Sequence, residues 1–122
     1  MGFFSAHEID PAEIATTYAG ILLPGEQVLT AFKTLRDTVF MTDLRFVLID
    51  VQGITGSKKA VHSIPYRSIV SFTVETAGTF DLDSDLKIQV SGQAMPVSVK
   101  ISRKADPQAV LRTLAEQVMM KR

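Results

Sequence analysis

Asp81, Asp83 and Asp85, three carboxylates at alternate positions, are the nearest this chain comes to a metal site. Such spacing opens calcium-binding loops, which also need glycine at the sixth position and a bidentate glutamate at the twelfth. Counted from Asp81, those places hold Leu86 and Gly92, so the stretch reads as a polar turn between strands. Its crowded negative charge would still be eased by a cation or a basic partner, and a second copy of the chain could supply Lys or Arg. Neither of the two histidines, His7 and His62, has a nearby cluster of Asp, Glu or His at ligand spacing. Gly53-Ile54-Thr55-Gly56-Ser57-Lys58 ends like a phosphate loop, but it has too few residues between its glycines and no helix after it. No nucleophile elbow or triad can be assembled. The expectation is therefore a protein with no enzymatic activity, no metal and no cofactor.

Two small basic spots remain. Lys58 and Lys59, with His62 near by, form one; Arg103 and Lys104 form the other. Either suits phosphate or an anionic lipid surface, where a basic residue is worth about 1 kcal/mol; the plainer reading is ordinary surface charge. Thirteen basic residues balance 13 acidic ones, and this neutrality argues against a nucleic-acid partner. Phe3 and Phe4 lack the periodicity of buried residues, so they either fold back as a local lid or anchor to a neighbouring subunit or a membrane. Tyr66 and Arg67 follow the rigid Pro65, which would project them reproducibly into a recognition surface. The plainer reading packs Tyr66 on the rim of the fold and pairs Arg67 with a carboxylate. Met120 is expected to face outward.

Seven alternating segments must position these groups. Val28, Thr30, Phe32 and Thr34 oppose Leu29, Ala31, Lys33 and Leu35. Short turns at Arg36-Asp37 and Thr42-Asp43 separate the next two runs, Thr38 to Met41 and Leu44 to Val51. A further strand runs from Lys59 to Ile64, closed by Pro65. Val70, Phe72 and Val74 then oppose Ser71, Thr73 and Glu75. Leu86, Ile88 and Val90 oppose Lys87, Gln89 and Ser91, while Val97, Val99 and Ile101 oppose Ser98, Lys100 and Ser102. Alternation of this kind marks antiparallel strands with one buried face.

Helices flank the strands. Asp10, Pro11 and Glu13 spell a helix start, Ile14 and Tyr18 share a face, and Gly20 is placed to end it. Asp106 and Pro107 open a second helix, with Val110, Leu111, Leu114, Val118 and Met119 as its apolar stripe. Lys121 and Arg122 suit its C-terminal end. The reading is one domain over residues 1–122: a helical segment at 1–20, strands over 26–102 and a capping helix at 106–121. The fold class is mainly β, a seven-stranded antiparallel, partly open barrel stoppered by the last helix. No apolar run approaches the roughly 20 residues of a membrane span. The start MGFFSAHEID lacks the build of a secretory signal, and Ala6 departs from the myristoylation pattern. With no cysteine as well, the expected location is the cytoplasm.

This order of elements resembles the pleckstrin-homology superfold. The stretches TDLRFVLIDVQGITGSKK (42–59) and SIPYRSIVSFTVETAG (63–78), followed by DLDSDLKI (81–88), are similar to a bacterial PH-like family formerly filed as a domain of unknown function. The resemblance covers nearly the whole chain. It implies a PH-like barrel that assembles into ring-shaped homo-oligomers, with no established ligand or activity. Phosphoinositide recognition of the eukaryotic kind does not carry over, since the first hairpin offers only Lys33 and Arg36, followed at once by Asp37.

The expected function is thus a non-enzymatic scaffold whose main partner is itself, with another protein as a further partner. Its interface would draw on Phe3, Phe4, Tyr66, Arg67, Asp81, Asp83 and Asp85. The alternative is an anionic membrane or small ligand bound through Lys58, Lys59, Arg103 and Lys104.

Overall fold

The computed structural model describes residues 8–34, 36–76 and 83–120. Seven antiparallel strands form two sheets. The first holds β1 (Val28–Lys33), β2 (Thr38–Thr42), β3 (Arg45–Gln52) and β4 (Lys58–Pro65) in that order. The second holds β5 (Ile69–Glu75), β6 (Ser84–Val90) and β7 (Val97–Ile101). A short helix, α1 (Pro11–Thr17), precedes the strands. A longer one, α2 (Pro107–Ala115), follows them and runs on as a wider π-type segment, Glu116–Met120.

The expected alternation builds most of the interior. β6 buries Ser84, Leu86, Ile88 and Val90 on one side and leaves Asp85, Lys87 and Gln89 half exposed on the other. With Phe32, Met41, Phe46 and Ile101 of other strands, plus Val110 and Leu114 of α2, these side chains make the main core.

β2 departs from alternation, because all five of its residues are buried. The first sheet is covered on both faces. Val39 and Met41 enter the main core, whereas Phe40 joins Ala31, Val47 and Ile49 in a second cluster under Ile14 and Tyr18. The rings of Tyr18 and Phe40 lie 5.5 Å apart, centre to centre. A helix as short as α1 is marginal alone, and this burial supplies what its own hydrogen bonds do not. The Asp10 carboxylate accepts from the Ala12 N–H at 2.9 Å, as its helix-start signal predicts. Gly20 is not the terminator: the helix ends at Thr17, where the Tyr18 N–H reaches Ile14 O.

Bulges change two strand phases. In β1 the register shifts between Val28 and Thr30, so Val28 joins the second cluster instead of sharing a face with Phe32. In β5 it shifts between Ile69 and Ser71. Ile69 then faces inward with Phe72 and Val74, and Val70 is turned out at 67% exposure. The expected face Val70-Phe72-Val74 is corrected accordingly.

On the last helix Val110, Leu114 and Val118 meet the core as expected. Met119 does not: the π-type widening rotates Gln117 inward, leaving Met119 and Met120 exposed.

Candidate functional site

One end of the first sheet carries the β1–β2 and β3–β4 turns. The first is closed by the Thr34 N–H donating to Asp37 O at 2.9 Å. The Asp37 carboxylate accepts from the Val51 N–H at 3.0 Å, tying this turn to the end of β3. Arg36 reaches across and donates from Nη2 to Gly53 O, so the two turns sit against each other. Gly53 and Gly56 hold φ values of +82° and +71°, backbone conformations that glycine adopts freely. Between them stands Ile54, fully exposed at 104%.

Lys58 and Lys59 follow at the start of β4, both exposed, and neither forms an ion pair with a described residue. The structure thus brings Arg36 to the lysine spot, which the sequence spacing of 22 or more residues conceals. Arg103 and Lys104 belong to another element, the 3₁₀ turn Arg103–Ala105 before α2, with Lys104 exposed.

An open cleft of about 320 Å³ lies between the β1–β2 turn, the end of β3 and the edge of β7. Its charged lining is already engaged. Arg36 and Asp37 make the bonds above, and Lys100 Nζ lies 3.0 Å from Asp85 Oδ1. Asp50 accepts from the Gln52 amide at 3.1 Å and lies 4.0 Å from His62 Nε2. Groups held this way do not converge on a reacting atom. Among the described residues no three His, Cys, Asp or Glu side chains gather as metal ligands.

The acidic stretch resolves in part. Asp85 is a strand residue, not a turn residue, and its basic partner is Lys100 directly across on β7 of the same chain. Asp83 is exposed. Asp81 lies outside the described residues, as do Phe3, Phe4, His7, Lys121 and Arg122.

Of the two readings of Tyr66, recognition surface and packed rim, its burial goes against the first. It is buried in the main core, and its hydroxyl donates to Thr42 O at 2.6 Å. Burial, with Asp43 and Glu26 near by, pushes its phenol well above the usual range. Pro65 does project the next side chain, but into the core; only Arg67 is turned to solvent.

The deepest polar constellation carries no motif in the sequence. The Glu26 carboxylate, with no exposed area, receives four donors: the Leu23 N–H, Thr42 Oγ1 and two nitrogens of Arg45. Arg45 also donates to Ile21 O at 2.6 Å and to Ser63 Oγ at 2.9 Å. Hydrogen bonds from Arg45 hold the Glu26 pKa down at about 2, against burial that opposes them. The cluster pins the segment after α1 to β3 and β4, a structural clasp with every partner satisfied. A lone Glu in a loop and a lone Arg on a strand carry no local sign of meeting.

No helix among the described residues is long and apolar enough to cross a membrane. The chain is 49% identical over 109 residues to the uncharacterized protein YjqA of Bacillus subtilis, covering 85% of this chain and 87% of that one. It is 28% identical to the uncharacterized protein YozO of the same organism, covering 91% and 95%. Among solved structures it is similar to a DUF1696 family protein with a pleckstrin-homology domain from Shewanella loihica. The TM-score is 0.84 at 38% identity, covering 96% of this chain and all of that one. A pleckstrin homology domain from Shewanella amazonensis gives a TM-score of 0.80 at 42% identity, covering 93% and 92%. The family model described as the bacterial PH domain matches residues 2–118, and with the two-sheet fold and closing helix this places the chain in the bacterial PH domain family.

Proposed function

We propose that this chain is a non-enzymatic PH-like scaffold that works by assembling with copies of itself into a closed ring. The observation that carries the reading is the state of the sheet edges. Among the described strands, the sheets end on β1 and β4 and on β5 and β7, and of these edges β4 and β5 each turn a valine to solvent: Val61 at 50% and Val70 at 67% exposure. Unpaired edges with apolar side chains invite strand addition. Head-to-tail contacts that close after a few copies satisfy such edges without growing into fibres. The neutral net charge removes any large field that would oppose packing. Arg67 is exposed and in no ion pair with a described residue, which suits a carboxylate such as Asp83 on the next copy. Phe3 and Phe4 remain candidates for the same contact.

Size-exclusion chromatography with light scattering tests this. A multiple of 13.4 kDa is expected, falling to the monomer mass in Val70→Lys with an unchanged circular-dichroism spectrum. A strict monomer at high protein concentration would rule the ring out.

A further inference from the structure

We propose that the β3–β4 turn is a contact tip for an anionic lipid surface, with Ile54 entering the apolar edge of the bilayer and Arg36, Lys58 and Lys59 lying against its phosphates. The proposal does not require self-assembly, although Lys58 and Lys59 open β4, the strand whose edge also carries Val61. Single exposed apolar residues are common and need no explanation alone. Three features set this one apart. Ile54 has no burial to contribute to the fold, at 104% exposure, yet it stands at the apex of a turn that two positive-φ glycines shape. The turn is braced by Arg36 through Gly53 O, so the apex is held forward of the strands. The cations beside it have no competing ion pair among the described residues, while the nearest acids, Asp37 and Asp50, are hydrogen-bonded to Val51 and Gln52.

Basic groups around an apolar apex match the two layers of a membrane interface, phosphate outside and hydrocarbon beneath. An acidic protein surface would use the cations and leave the isoleucine in water. Charge and apolarity together therefore favour lipid over an acidic protein.

The chain contains no tryptophan, so Ile54→Trp creates a protein with a single indole at the apex. With phosphatidylcholine vesicles containing phosphatidylglycerol at low salt, its emission should shift to the blue. With pure phosphatidylcholine it should not. Co-sedimentation of the unaltered chain should fade as salt rises. The Lys58→Glu/Lys59→Glu pair should weaken it at least about tenfold, and Ile54→Ser several-fold. These side chains are exposed, so the variants should melt with the parent and keep its mass by light scattering. Failure to sediment with anionic vesicles at low salt overturns the proposal. So does sedimentation that Ile54→Ser leaves intact while the indole emission stays unshifted, since that pattern describes charge contact with any acidic surface. Neither result bears on the ring, which the scattering mass reads separately.

Discussion

Glu26 and Arg45 face each other as a fork, Nε donating to Oε2 and Nη2 to Oε1, each at 2.9 Å. Paired bonds of this geometry fix direction as well as distance. Because Arg45 sits on β3 while also holding Ile21 O, the fork decides where the chain travels between α1 and β1. Glu26→Gln keeps the shape but removes the charge, and leaves a guanidinium half-satisfied. Urea unfolding should show a loss of about 2 kcal/mol. Arg45→Met in the same background should cost less than it does in the parent, since its main partner is already gone.

The same carboxylate sets an acid limit. Its folded pKa, about 2, lies below the ordinary 4.5, so the unfolded chain takes up the proton first as pH falls. The contribution is complete above the unfolded value and is lost as pH drops from about 5 toward 2, amounting to roughly 2 kcal/mol because the Arg45 end of the pair reaches solvent. Melting temperatures across that window should decline in the parent and decline less steeply in Glu26→Gln.

The strands themselves and the identity of most inward residues could be read from alternation, because each face rests on neighbours two positions away. The clasp could not, since its partners are 19 residues apart and neither sits in a motif. Nor could the bulges. Ile69 and Val70 are both β-branched and apolar, so either can be assigned to the core on composition alone; only the pairing register separates them. The inward turn of Tyr66 is hidden for a related reason. A proline fixes the backbone of a turn but does not say which way the turn faces.

The bulge in β5 predicts unequal costs for two adjacent residues. Ile69 is buried and Val70 is mostly exposed. Ile69→Ala should therefore destabilise by about 2–4 kcal/mol, and Val70→Thr should stay within about 0.5 kcal/mol. Denaturant titrations at low protein concentration would compare them. Equal costs would mean that β5 pairs with β6 in plain register.

Tyr66 is held inside by its ring and by the bond to Thr42 O. Tyr66→Phe keeps the ring and leaves the carbonyl without that donor, a loss of about 1–2 kcal/mol. The raised phenol pKa makes the folded state keep a proton that the unfolded chain gives up, so stability holds below the ordinary value of 10.0 and declines above it. In Tyr18→Phe, where Tyr66 is the remaining tyrosine, ultraviolet difference spectra should show no phenolate near pH 11 until the chain unfolds.

The start of α2 rests on a residue under two demands. Asp106 has φ +53°, in the left-handed region, and its carboxylate accepts from the Ala109 N–H at 3.2 Å. Asparagine meets both demands, because its short polar side chain tolerates that backbone and its oxygen can cap. Glycine relaxes the backbone but gives up the cap, and alanine loses the cap while keeping the strain. The stability order should be Asp106 and Asn alike, then Gly, then Ala, with Ala lower than the parent by about 1–2 kcal/mol. Val110 and Leu114 of this helix are core residues, so loosening its start also loosens the seam between the two sheets. Hydrogen exchange should show faster opening of Val110 in Ala than in Gly; the reverse order would mean that the left-handed backbone costs nothing here.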